Sequence, residues 1–128
     1  MSSSAIKTYK DLIAWQKAKE LAKLIYRGTT RMPSDEKFGL TLQMRRAAVS
    51  IPSNIAEGYA RQSRQDYVRF LKTARGSLAE LQTQLEITNE LQLIEVPSDT
   101  WELASELDRV LQDLIRSLTP KAEPAHAR

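Results

Sequence analysis

The sequence predicts an all-α protein, an antiparallel up-down four-helix bundle whose second helix is kinked near Pro52. Three observations predict it. Apolar residues recur at steps of three and four in four separate stretches, the period of a helix with one buried stripe. Pro33, Pro97 and Pro120 punctuate the chain between or after those stretches, and the four glycines are scattered. Nowhere do β-branched residues alternate with polar ones in the two-residue period of a strand. A chain of 128 residues is long enough for one domain to bury a core without disulfide or metal. The expected division is a flexible lead over 1–10, a bundle over 11–119 and a disordered tail over 120–128.

The first helix is expected over about 12–30, with Asp11 as N-cap. Leu12, Trp15, Ala18, Ala22, Ile25 and Tyr26 form its apolar stripe, and Gly28 and Pro33 end it. The second is expected over about 35–60, capped by Ser34, with Asp35 and Glu36 at the positive end of the helix dipole. Its apolar side is Leu40, Met44, Ala47, Ile51 and Ile55; Gln43, Arg46, Ser50, Asn54, Glu57 and Arg61 lie on the other. Pro52 has no N–H and crowds the carbonyl of Ala48, so a kink is expected there, with Ser50 or Ser53 serving a freed carbonyl. The rival is a split into two short helices.

The third helix is expected to reach about residue 93 from a Ser63–Asp66 capping box. Tyr67, Leu71, Ala74, Leu78, Leu81, Leu85 and Thr88 alternate steps of four and three, the seam of helices crossing at a shallow angle. Gly76 interrupts it and is read as a point of close backbone approach. Ser98 is the cap expected for the fourth helix, with Trp101, Ala104, Leu107, Leu111, Leu114 and Leu118 as its stripe and Thr119-Pro120 as its stop. Short connections favour antiparallel neighbours.

Chemistry is conspicuous by the residues it would need. Cysteine is absent, and the one histidine, His126, is the third residue from the end of the sequence, in a Pro/Ala stretch. That removes thiolate zinc sites, histidine-based hydrolysis and di-iron Glu-x-x-His sites. Clustered glycines for a phosphate loop are missing too. Glu80, Glu86, Glu90, Glu102, Glu106 and Asp113 fall off the apolar stripes and read as a solvated or partner-facing surface. The expectation is a protein with no catalytic residue, no metal and no cofactor.

What remains is surface charge. Residues 1–76 carry 15 Lys/Arg against 6 Asp/Glu, and residues 77–128 carry 4 against 10. The balances of +9 and −6 leave the net +3 and describe a charge-polarised particle, able to attract phosphate or a second copy of itself. Lys19, Lys23, Arg27 and Arg31 recur every four residues; Arg69, Lys72 and Arg75 recur every three; Arg45, Arg46, Arg61 and Arg64 add to them. Such stripes can track a phosphate backbone. They can equally be ordinary solvated helix faces, with pairs such as Glu57–Arg61 internal. Trp15, Trp101 and Tyr67 fall on core stripes, away from any base-stacking role.

The run Gly39-Leu40-Thr41-Leu42-Gln43-Met44-Arg45-Arg46-Ala47-Ala48-Val49-Ser50-Ile51-Pro52-Ser53-Asn54-Ile55-Ala56-Glu57-Gly58 closely resembles the signature of the four-helix-bundle proteins encoded in intervening sequences of bacterial large-subunit rRNA. Asp11-Leu12, Trp15, Ile25-Tyr26, Phe70-Leu71, Ala74, Gly76-Ser77-Leu78 and Glu80-Leu81 extend the likeness over about residues 9–94. That family resembles in turn the accessory variability determinant of diversity-generating retroelements. The resemblance implies a bundle assembling into a homopentameric barrel. For the retroelement relatives it implies contact with nucleic acid and a reverse transcriptase through a basic surface; it implies no enzyme.

Two functional expectations follow. The first is an oligomeric module contacting RNA or DNA through Lys19, Lys23, Arg27, Arg31, Arg45, Arg64, Arg69, Lys72 and Arg75. The second is an adaptor that presents helical surfaces to another protein. In either, Gln43, Arg46, Ser50, Pro52, Asn54, Glu57 and Gly58 form a structural or subunit-interface motif. No apolar run approaches the roughly 18 residues of a membrane span, and Met1-Ser2-Ser3-Ser4 does not open a signal peptide, so the cytoplasm is the expected location.

Overall fold

The computed structural model describes residues 5–120. Four helices account for most of them: α1 (Ile13–Thr29), α2 (Leu40–Ala60), α3 (Arg64–Glu90) and α4 (Ser98–Leu118), with no strand among the described residues. The backbone of each helix lies against its two neighbours in the ring α1–α2–α3–α4, and the backbones of the diagonal pairs α1/α3 and α2/α4 stay apart. The expected tail, apart from Pro120, lies outside the described residues.

The core is the sum of the four apolar stripes. Ala18, Leu21 and Ile25 of α1 meet Met44, Ala48, Ile51 and Ile55 of α2, Leu71, Leu78 and Leu81 of α3, and Ala104, Leu107 and Leu111 of α4. Most of these side chains are fully enclosed. Burying a leucine or isoleucine from water is worth about 2 kcal/mol each, which is why the three-four period fixes the inward faces.

Helix ends depart from expectation. Asp11 does not cap α1: its Oδ2 accepts from the Lys7 and Thr8 N–H groups at 2.8 and 3.0 Å, closing a capped 3-10 turn, Tyr9–Asp11, ahead of the helix. Those two bonds to the charged form hold its carboxyl below the usual value. Leu12 occupies the cap position without a side-chain acceptor. Ser34 opens a second 3-10 turn, Ser34–Glu36, instead of α2. The Glu36 Oε1 then accepts from Leu40 N at 3.0 Å, so a side chain four residues upstream satisfies a free first-turn donor. Ser63 does cap α3 through Asp66 N. The Asp66 carboxylate, however, turns to Arg69 at 3.1 Å, so the reciprocal half of the box is not made. Ser98 is the first residue of α4, with Pro97 at the cap. α3 ends at Glu90, short of the expected residue 93, and Gln92 takes a left-handed φ of 60°, a turn that no glycine marks.

Through Pro52, α2 continues as one helix, so the split into two does not occur. Ser50 faces α3, where its Oγ lies 2.9 Å from Ser77 Oγ, instead of serving a carbonyl of the proline turn. The α2–α3 seam is drawn together by small residues. A Cβ added at Gly58 would lie 2.6 Å from Phe70 Cβ, so only glycine fits there. At Gly76 an added Cβ would meet nothing within 4 Å, which corrects the reading of Gly76 as a close approach.

Candidate nucleic-acid interface

Position along the bundle, more than position in sequence, decides which charges act together. Partners across the α2–α3 seam run in opposite numerical order: Gln43 with Gln84, Ser50 with Ser77, Gly58 with Phe70. The end of α2 and the start of α3 therefore share one end of the molecule. The leading 3-10 turn joins them there, since Tyr59 Oη donates to Ile6 O at 3.5 Å. So does the end of α4, because Leu118, Thr119 and Pro120 share a surface hollow with Arg64, Gln65 and Val68.

That end gathers Lys7, Lys10, Arg61, Arg64, Arg69, Lys72 and Arg116. Its carboxylates are Asp11, Glu57, Asp66 and Asp113, and each is already engaged. Asp11 is bound by backbone N–H groups. Glu57, Asp66 and Asp113 pair with Arg61, Arg69 and Arg116 at 3.1, 3.1 and 2.9 Å. Among the described residues the side-chain charges of Lys7, Lys10, Arg64 and Lys72 have no carboxylate within 4.0 Å, and all four residues are exposed. Arg61 and Arg69 also lie over the Phe70 ring, their guanidinium carbons 5.0 and 4.7 Å from its centre. At Lys7, Lys10, Arg64 and Lys72 no carboxylate has to leave before a phosphate can approach.

The remaining basic candidates are dispersed. Lys19 sits over the Trp15 ring at 4.9 Å, and Lys23 pairs with Glu20 at 3.7 Å. Arg27 and Arg31 lie at the far end of α1, beside the α3–α4 connection. Arg45 is tied down: Nε donates to Thr29 Oγ1 at 2.8 Å, Nη2 to Tyr26 O at 3.2 Å, and the guanidinium covers the Tyr26 ring. It fastens the start of α2 to the end of α1. Arg75 bridges α3 to α4 through Asp108 at 2.8 Å. That hydrogen bond raises the guanidinium and lowers the carboxyl from their usual values, against the opposing effect of burial on each. Lys17 bridges α1 to α4 through Glu106 at 2.9 Å, so part of the acidic second half is consumed inside the molecule.

The motif residues of α2 divide similarly. Gln43 accepts from Gln84 Nε2 at 3.4 Å, and Asn54 Nδ2 donates to Ser50 O and Oγ at 2.8 and 3.0 Å. These form a polar row along the α2–α3 seam, with Gly58 beyond it. Pro52 is half-buried within the helix, Glu57 is held by Arg61, and Arg46 is exposed. Lys7, Lys10 and Arg116 escaped the sequence reading. The signal for the first two was present: Thr8 and Asp11, three apart, are the capping pair of an ordered turn.

Among the described residues no helix is long and apolar enough to cross a membrane, and no three His, Asp or Glu side chains converge as metal ligands would. Residues 10–116 match the family described as the 23S rRNA-intervening sequence protein. The chain belongs to that family. Among solved structures it is similar to a protein of unknown function from the S23 ribosomal protein family of Bacteroides thetaiotaomicron. The two share 22% identity and superpose with a TM-score of 0.70 over 81% of this chain and 96% of that one, a likeness of fold. No curated protein matches. Several small and amide-bearing residues of the α2 run lie on the α3 seam, so that run packs the two helices together.

Proposed function

We propose that this intervening-sequence family protein is a non-enzymatic, cytoplasmic, oligomeric binding protein that holds RNA or DNA by its phosphates at the basic end of an antiparallel up-down bundle bent at Pro52. One observation carries the reading: Lys7 and Lys10 of the leading segment and Arg64 and Lys72 of α3 lie at one end of the bundle, where each carboxylate is already engaged. The opposed numbering of the α2–α3 partners supports the antiparallel arrangement. Loss of the Pro52 N–H supports the bend. Self-association, as the homopentamer that the resemblance implies, is supported by a second apolar stripe on α2. Leu42, Val49 and Ala56 recur every seven residues on the side away from the core, and Val49 is 43% exposed. A reverse transcriptase partner, as in the retroelement relatives, fits an accessory that grips phosphate and leaves base reading to another chain.

Four neutralised phosphates give a definite salt dependence. Affinity for a labelled RNA or DNA oligomer should fall on the order of 10²-fold between 50 and 200 mM salt, read by fluorescence anisotropy. Arg64→Glu with Lys72→Glu should abolish binding, while Lys19→Glu with Lys23→Glu should weaken it only slightly. Absence of binding at 50 mM salt, or equal loss from the two double variants, defeats the proposal and leaves the adaptor reading. Light scattering should give five times the chain mass of 14.5 kDa, falling on Val49→Glu.

A further inference from the structure

At the end of the bundle opposite the basic cluster, α1 stops at Thr29 and the α3–α4 connection, 91–97, turns back across it. Between them lies a half-enclosed cavity of about 150 Å³. Leu24, Ile25, Leu85, Ile94 and Val96 give it apolar walls. Gly28 belongs to the wall, and a Cβ built there would meet no neighbouring atom within 4 Å, so the space above it is free. The mouth is charged: Arg27 and Arg31 line it, with Asp99 as the one carboxylate in the lining. Among the described residues neither arginine has a carboxylate within 4.0 Å.

Size and charge together select a ligand class. A cavity of about 150 Å³ accepts a molecule the size of benzene, whereas drug- or cofactor-sized ligands need about 300 Å³ or more. The mouth has two guanidinium groups to one carboxylate, and guanidinium binds carboxylate by paired, charge-assisted hydrogen bonds. An apolar body of about six carbons with one carboxylate meets both conditions. We infer that this cavity binds a small monocarboxylate of the benzoate or hexanoate class, its apolar body against Gly28, Ile25 and Leu85 and its carboxylate between Arg27 and Arg31. The inference is independent of the nucleic-acid reading, which rests on residues at the other end.

Trp101 provides a reporter, because it lines the adjoining surface groove that shares Arg31, Ile94 and Val96 with the cavity. The test is a titration of the full chain with benzoate, hexanoate, hexylammonium and benzene, followed by Trp fluorescence and amide chemical shifts. Benzoate should give saturable shifts concentrated at Gly28, Thr29, Leu85, Ile94 and Thr100. Gly28→Leu fills the space and should weaken benzoate and benzene alike by at least about tenfold, a loss of about 1.4 kcal/mol. Arg27→Gln with Arg31→Gln should weaken benzoate about tenfold and leave benzene unchanged. Hexylammonium binding as tightly as hexanoate overturns the charge assignment. Unsaturated shifts scattered over the surface, or a Gly28→Leu chain that titrates like the parent, overturn the site. The arginine variants keep the test decisive should Gly28→Leu disturb α1.

Discussion

The α2–α3 seam and the seams of α4 are built on different principles. Between α2 and α3 the backbones approach until only glycine fits beside Phe70, two serine hydroxyls touch at 2.9 Å, and Thr88 Oγ1 reaches Met44 Sδ at 3.7 Å. α4 is joined instead by an apolar stripe centred on Ala104, Leu107 and Leu111, flanked by Lys17–Glu106 on one side and Arg75–Asp108 on the other. A surface groove lined by Lys72, Gly76, Ala79 and Ile115 runs beside the α3–α4 joint. Short side chains set a distance sterically and leave no slack. Long charged ones span a gap, and their partly exposed ion pairs add little to stability. The molecule is thus a tight helical hairpin with α1 and α4 laid against it.

Two glycines measure that difference with opposite signs. Gly58→Val forces a side chain into Phe70 at the tight seam and should cost about 3 kcal/mol, an overpacking penalty without room to relax. Gly76→Ala places a methyl in open space on a helix and should gain about 1 kcal/mol from propensity alone. Urea unfolding of the two variants against the parent checks both. Equal destabilisation would mean that the α3–α4 joint is as close as the α2–α3 seam, and the comparison fails.

The glycine pair also shows what the sequence could and could not say. Gly58 continues the spacing Met44, Ala47, Ile51, Ile55, so its inward place was legible in the same period that gave the core. Gly76 falls between Ala74 and Leu78 of the α3 stripe, off that period, and the spacing alone argued against a close approach. The stripes were readable because burial requires them to share one face. Helix starts were not, because several residues can satisfy the same free N–H. Asp11 served its own 3-10 turn, and Glu36 reached forward to Leu40 in place of a cap at Ser34. The basic residues were legible one by one but not as a site. Lys7 and Arg64 come to share one end of the molecule only because the leading segment reaches the end of α2, which periodicity within a helix does not encode.

The tight seam has one internal flaw that sharpens the contrast. Tyr67 lies at its α3 edge, its ring edge-on to Tyr59 with centroids 5.8 Å apart, and its buried hydroxyl has no hydrogen-bond partner. Burial, with a smaller effect of Tyr59, pushes its phenol up to about 12. Tyr67→Phe removes an unsatisfied polar atom and should gain about 1 kcal/mol at neutral pH. The sign with pH follows from the raised value. The protonated phenol is favoured in the folded chain, so its contribution is complete below the ordinary phenol value of 10 and is lost as pH rises toward 12. Tyrosinate absorbance should lose its highest-pH step in the variant; retention of that step would place the phenol in solvent.

The smallest effect belongs to the α4 joint. Arg75 hydrogen-bonds Asp108 at 2.8 Å, and Gln112 Nε2 donates to the same carboxylate at 2.7 Å. Both hold the Asp108 carboxyl below its ordinary 3.8, the arginine more strongly, while partial burial acts against them. A lowered folded value means that the stabilisation is present above pH 3.8 and disappears as pH falls below it. Asp108→Asn should therefore be slightly less stable than the parent at pH 7, by less than the Gly76→Ala gain, and equal to it near pH 2. Asp11, lowered by the Lys7 and Thr8 N–H groups, titrates in the same direction, so the variant keeps part of the acid dependence. A gap between parent and variant that persists undiminished at pH 2 would show that Asp108 supports α4 through packing, and that the ion pair is incidental to the joint.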